Sequence, residues 1–157
     1  MLGNISKLKK YKNMTNSSEK SSSMLIHLSA LANYVIPFGS LLLPLILWQT
    51  TKKDSTYIDH HGKEALNFNL SFFIYNIVAV FVLLGSILGT VFSAIQAEGA
   101  ENMENITGIL FSTGGFISAI IVLSIIGVTK LILMIIAAIK ANEGNLYKYP
   151  VTIRFIK

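Results

Sequence analysis

"MLIHLSALANYVIPFGSLLLPLILW", residues 24 to 48, is long enough for one membrane-spanning helix but carries two prolines that argue against it. About 20 apolar residues cross a hydrocarbon core of roughly 30 Å. Pro37 opens the turn-like tetrapeptide PFGS, and Pro44 follows seven residues later. A proline removes one backbone donor, and its ring crowds the preceding helical turn. Gly39 loosens the backbone at the same place. Whether the chain crosses or turns back here sets the sidedness of everything after it.

Lysines and arginines decide between the two paths, because the cytoplasmic loops of membrane proteins are enriched in them. Two more apolar regions follow, residues 70 to 97 and 106 to 139. They are separated by EGAENMEN (98–105), which has three glutamates and no base. Suppose the first region crosses once. The tail with Lys7, Lys9, Lys10, Lys12 and Lys20 then lies inside, and the loop with Lys52, Lys53 and Lys63 lies outside. The acidic loop falls inside, and the C-terminal Lys140, Lys148, Arg154 and Lys157 fall outside. Suppose instead the chain folds back at Pro37–Ser40. All twelve of those bases then face the cytoplasm, and the outer loop has none. Only the second path obeys the rule.

The expected fold is therefore all-α, a polytopic membrane helical bundle of four helical segments with both termini cytoplasmic. A Pro-broken short hairpin, 24–36 and 41–51 with its turn at Pro37, Gly39 and Pro44, precedes two long membrane helices within 66–97 and 106–139. Residues 1–23 read as a basic flexible cytoplasmic tail, 24–139 as the membrane domain, and 140–157 as a basic interfacial cytoplasmic tail. A 13-residue limb reaches only about 20 Å as a helix, so the hairpin is either re-entrant or a pair of short tilted helices. No small-residue cleavage site follows a short apolar core, so no cleaved signal peptide is expected.

Composition agrees with the membrane class. Of the 157 residues, 52% are hydrophobic and 13% are charged, against about 25% charged in soluble domains. The absence of cysteine excludes disulfides, thiolate metal sites and thiol catalysis. The net charge of +5 comes from bases that flank apolar runs. That distribution suits anionic lipid headgroups, so the lipid bilayer is the expected partner and nucleic acid is not.

The nearest approach to a chemical site is DHHGKEALNFN, residues 59–69. On a helix His60 and Glu64 stand four apart and could share a metal ion. However, Gly62 and Lys63 occupy the intervening positions, and the only other histidines are His61 and His27. No metal, cofactor-binding or catalytic residue is expected. The favoured reading is a cytoplasmic helix start. Asp59 caps it, and His60, His61, Gly62, Lys63 and Glu64 sit near the headgroups. A polar seam then descends into lipid. Asn67, Ser71 and Tyr75 share one helical face, Asn69 and Asn76 another, and His27 and Asn33 on the first hairpin limb are candidates to meet them. Such groups hydrogen-bond between membrane helices, or else line a hydrated path. Gly85 and Gly89 form a GxxxG helix-packing motif, and Gly115 with Ala119 a similar small-residue pair. Trp48, Tyr57, Tyr147 and Tyr149 fit an interfacial aromatic belt. Lys130, inside the third apolar region, is placed to snorkel at the interface.

Three stretches carry a family resemblance: HLSALANYVIPFGSLLLPLILW (27–48), HGKEALNFN (61–69) and IAAIKANEGNLYKYPVTIRFIK (136–157). The chain resembles an uncharacterised family of small bacterial integral membrane proteins related to the channel subunit of the chloroplast inner-envelope import translocon, the Tic family. The resemblance implies a four-segment helical membrane unit and supplies no catalytic residue. The expected function is that of a non-enzymatic, multi-pass protein of the bacterial cytoplasmic membrane. It would serve transport, translocation or the envelope by packing as a homo-oligomer or with a membrane-protein partner. The alternatives are a pore or carrier for ions or peptides, and a small membrane enzyme using His27, His60 or His61.

Overall fold

A computed structural model describes residues 16–52, 55–97 and 103–157. Helix α1 spans Ser17–Leu28 and runs into a 3-10 segment, Ser29–Tyr34. Helix α2 spans Gly39–Thr51, α3 Thr56–Ala97 and α4 Met103–Asn142. No strand occurs among the described residues. The chain is all-helical, as the sequence predicts. The basic stretch 1–15, Lys53 and most of the acidic loop (98–102) lie outside the described residues.

Helix α1 starts seven residues before the apolar run at Met24, because its cap is local and polar. The Glu19 amide donates to Asn16 Oδ1 at 2.8 Å, and the Asn16 amide donates to Glu19 Oε2 at 3.0 Å. This reciprocal pair satisfies two donors that a bare helix start leaves open. Residues 17–23, expected in a flexible tail, are thus helical.

The turn-back occurs at the PFGS stretch. The amides of Val35 and Ile36 both donate to the Ala32 carbonyl, at 3.0 and 2.8 Å. Phe38 takes a left-handed conformation with φ 60°. Gly39 then opens α2, and a β-carbon there would lie 2.7 Å from the Ala32 carbonyl group. Only glycine allows that approach. The two prolines have different fates. Pro37 lies in the turn, whereas Pro44 lies buried inside α2, which runs through it. Pro44 does not break the hairpin; it costs α2 one early hydrogen bond.

Helices α3 and α4 have 42 and 40 residues. At 1.5 Å per residue each reaches about 60 Å, twice what a bilayer core requires. The chain divides accordingly into two units. The terminal unit holds the chain up to Ser71 together with Lys130–Lys157. Its core is Ile26, Trp48, Ile58, Ala65 and Leu66, with Leu47 and Ile156 against it. The central unit is Phe72–Thr129. There α3 and α4 run past each other through small contacts. A β-carbon on Gly115 would lie 2.8 Å from Ser86 Oγ, and one on Gly108 would lie 3.0 Å from Ser93 Oγ. Both steps are seven residues, in opposite directions, so the two helices are antiparallel here.

Two stretches, Thr56–Ile95 and Thr113–Asn142, are long and apolar enough to cross a membrane. Only 6% and 11% of their most apolar windows are buried. A core helix of a soluble protein hides such a face; these helices display Phe81, Leu88, Phe92, Ile121 and Ile125 outward.

Candidate functional site

The polar residues of α3 gather in the terminal unit and hold the C-terminal segment. Helix α4 ends at Asn142, and Gly144 adopts φ 81°. The amides of Gly144 and Asn145 donate back to the carbonyls of Ala141 and Lys140, both at 3.0 Å. This is the usual glycine termination of a helix. The chain beyond is irregular, so its backbone groups need partners from elsewhere.

His60, Glu64, Asn67 and Ser71, spaced four, three and four apart, supply them from one face of α3. Asn67 Oδ1 accepts from the amides of Phe155 (3.0 Å) and Ile156 (2.8 Å), while its Nδ2 donates to the Ile156 carbonyl at 2.9 Å. Ser71 Oγ accepts from the Ile153 amide at 2.9 Å and donates to the Asn67 carbonyl at 2.7 Å. Glu64 Oε2 accepts from the Tyr149 amide at 3.2 Å, and its Oε1 faces Arg154 at 3.6 Å. His60 Nε2 lies 3.1 Å from the Tyr147 carbonyl.

Deeper in the unit, three rings form a buried hydrogen-bonded chain. The Tyr149 hydroxyl stands 2.9 Å from His27 Nδ1, and His27 Nε2 stands 2.9 Å from His61 Nδ1. Tyr149 also stacks on Phe68, with ring centres 3.8 Å apart and planes at 12°. Burial, with the nearby His60 charge, lowers the His27 pKa from 6.5 to about 3, so the ring is neutral near pH 7. Burial, then Tyr147 and Glu64, raises the Tyr149 hydroxyl well above its ordinary 10. With both groups neutral, Tyr149 donates to His27 Nδ1, and the His27 Nε2–H donates to His61 Nδ1. Among the described residues the buried Ser23 Oγ and Asn69 Oδ1 have no hydrogen-bond partner. Tyr57 ties α3 to the end of α4 by donating to the Ala141 carbonyl at 2.6 Å.

Several expected roles change on this geometry. Ser55, not Asp59, caps α3: its Oγ accepts from the Ile58 amide at 3.3 Å. Asp59 sits in the first turn, accepts from Trp48 Nε1 at 3.2 Å and pairs with Lys63 at 2.7 Å. Gly62 is there because the Trp48 indole lies against it, leaving no room for a side chain. Trp48 and Tyr149, expected at the membrane interface, are buried in the terminal unit; Tyr147 is half-buried. Asn67 and Ser71 bind the C-terminal segment rather than another membrane helix. Asn69 and Asn76 donate to their own helix, at the carbonyls of Ala65 (2.8 Å) and Phe72 (2.7 Å). Asn33 accepts from Ser40 across the turn at 3.2 Å, and Tyr75 lies half-buried in the central unit. Gly85 faces open space, so the close contact of α3 is made by its neighbour Ser86. Lys130 is half-buried within α4 and forms no ion pair among the described residues.

The arrangement is built to fix a chain segment. Among the described residues no three His, Asp or Glu side chains stand close enough to share a metal ion. The four-three-four spacing on α3 was a visible signal of a polar face. Nothing in the spacing identified the backbone 80 to 90 residues away as what that face holds.

No curated protein and no solved structure matches the chain. One family model does match, over residues 18–156: MamF/MmsF, described as the magnetosome magnetite crystal formation protein family. This overturns the resemblance to the translocon-related Tic family. The three stretches that carried the resemblance fall within the matched range, except for the final Lys157. The chain belongs to the magnetosome magnetite crystal formation protein family.

Proposed function

We propose that this protein is a non-enzymatic accessory component of a bacterial membrane that supports magnetite crystal formation. In this reading α3 and α4 cross the bilayer and both chain ends lie on the cytoplasmic side. The membrane role is supported by the outward apolar faces of the central unit. The process is supported by the family to which the chain belongs. The observation that carries the non-enzymatic reading is the use made of the polar residues. Glu64, Asn67 and Ser71 are engaged with the backbone of the C-terminal segment. A group already committed to fold-internal hydrogen bonds is poorly placed to act on a substrate. The same engagement tells against a conducting path lined by asparagines, since Asn69 and Asn76 donate to their own helix.

The test is genetic. The chain is expressed in a magnetite-forming bacterium from which its own family member has been deleted, and crystals are measured by electron microscopy. Crystal size or number is expected to move toward the undeleted strain. Crystals unchanged from the deletion strain, with the protein present in the membrane fraction, would sink the proposal.

A further inference from the structure

A second feature of the terminal unit lies on the outer side of the C-terminal clamp. Lys63 from α3 and Lys148, Arg154 and Lys157 from the C-terminal segment line an open pocket of about 280 Å³, with Glu64 and His60 at its wall. That volume is close to the lower end of small-ligand sites, about 300 Å³.

The charges in this pocket do not balance. Glu64 is already used twice, by the Tyr149 amide and by Arg154. Lys63 has its own carboxylate, Asp59, at 2.7 Å. Lys148 and Lys157 form no ion pair among the described residues. Four cationic side chains thus share one pocket region with two carboxylates, both of them engaged. Lys148 and Lys157 add positive charge beside the two paired bases, and an anion that enters relieves the repulsion among them. The donor types, three ammonium groups and a guanidinium, suit phosphoryl oxygens. The clamp also explains why the site persists. Asn67 and Ser71 pin Ile153, Phe155 and Ile156, so the three bases of the C-terminal segment are held against α3.

We propose that this pocket binds a phosphate group, either that of an anionic phospholipid headgroup or a free soluble phosphate. The lipid source has one argument in its favour. Lys63 precedes Phe73, an exposed apolar residue of the same helix, by ten positions, so a membrane-inserted α3 carries the pocket close in sequence to its lipid-facing stretch. The inference stands on the terminal unit and does not depend on a role in magnetite formation.

The full chain, purified in mild detergent, is given equal amounts of phosphatidylglycerol and phosphatidylcholine, and retained lipid is counted by native mass spectrometry. Wild type is expected to retain one phosphatidylglycerol in preference to phosphatidylcholine. The K148Q/K157Q variant, which changes two exposed side chains, is expected to lose that preference by about tenfold or more. The K20Q/K140Q variant removes the same charge elsewhere and is expected to behave as wild type. In a second arm inorganic phosphate is titrated calorimetrically in the absence of charged lipid. Saturable binding that K148Q/K157Q abolishes, without lipid preference, assigns the site to soluble phosphate. Equal losses in the two double variants would reduce the lipid contact to diffuse attraction and overturn the site. So would a K148Q/K157Q variant that keeps both activities.

Discussion

The terminal and central units share two helices, α3 and α4, but solve opposite problems. In the terminal unit α3 presents histidine, glutamate, asparagine and serine, and nearly all of them reach a partner distant in sequence. In the central unit the hydroxyls of Ser86, Thr90, Ser118 and Ser124 donate to carbonyls of their own helix. Close approach of α3 and α4 there uses missing side chains, with Gly108 against Ser93 and Gly115 against Ser86. The difference follows from what each unit must satisfy. An irregular C-terminal segment brings open backbone groups that need side-chain partners. Two helices carry all their backbone bonds internally and need only approach one another closely. Specific chemistry belongs to the first unit and generic packing to the second.

The comparison breaks most readily at Asn67. Asn67→Leu removes one acceptor shared by two amides and one donor to a carbonyl. The three bonds are only partly buried, and each such bond contributes roughly 0.5–1.5 kcal/mol, so a loss of about 2–3 kcal/mol is expected. Thermal unfolding in detergent should show it, and proteolysis should cut the segment after Gly144 far faster than in wild type. A segment that stays protected would mean that apolar packing at Ile156, not the asparagine, holds it. Gly62→Val tests the same unit from its other side. The added side chain has no space beside the Trp48 indole, and overpacking of this kind costs about 1–3 kcal/mol. Trp48 fluorescence should shift with it, since the indole must move or lose its bond to Asp59.

Acid should separate the two units as well. His27 is buried, and its pKa falls from 6.5 to about 3 on folding. Between those values the unfolded chain holds a proton that the folded chain does not, so stability rises with pH across that window. The contribution is complete above pH 6.5 and is lost as pH falls toward 3. At pH 5 about 2 kcal/mol of it should be gone, at about 1.4 kcal/mol per unit. The measurement is the melting temperature between pH 7 and 5, for wild type and for His27→Gln, which lacks the titrating ring. A slope unchanged in the variant would remove His27 as its source. Amide exchange in the central unit should be the last to respond.

Much of the architecture was legible from hydropathy and charge. The fold class, the turn at PFGS and the two long helices are properties of apolar length and proline placement. The early start of α1 was also legible, because Asn16 and Glu19 have capping-box spacing, but the polar run after them masked it. The positions of Trp48 and Tyr149 were not. An amphipathic aromatic satisfies an interface and a buried hydrogen bond equally well, and only its neighbours decide. Asn67 shows the limit most plainly. Its face could be read from the four-three-four spacing, but its partner is a backbone segment 88 and 89 residues away. A backbone amide has no residue signature to search for. The marker stretches 61–69 and 136–157 were visible as a pair, and the structure supplies a reason for their pairing: each holds the other. The family to which they belong could not be settled by the same physics.

The smallest expected effect sharpens the central unit. Gly85→Ala adds a methyl group where nothing lies within 4 Å. Alanine is also the better helix former, so the change is expected to be neutral or to stabilise by up to about 1 kcal/mol. Gly115→Ala places its methyl group 2.8 Å from Ser86 Oγ, which must give way. That contact is a single hydroxyl bonded to Val82, so moving it should cost only about 0.5–1 kcal/mol. Ser86→Ala removes the obstruction, and the double variant should recover most of the loss, a coupling of about 0.5–1 kcal/mol in a double-mutant cycle. Denaturation of the four proteins in the same detergent measures it. If Gly85→Ala proves as costly as Gly115→Ala, Gly85 is in close contact with something other than α4. A second copy of the chain would then be the first candidate, because GxxxG surfaces permit that approach between helices of separate chains.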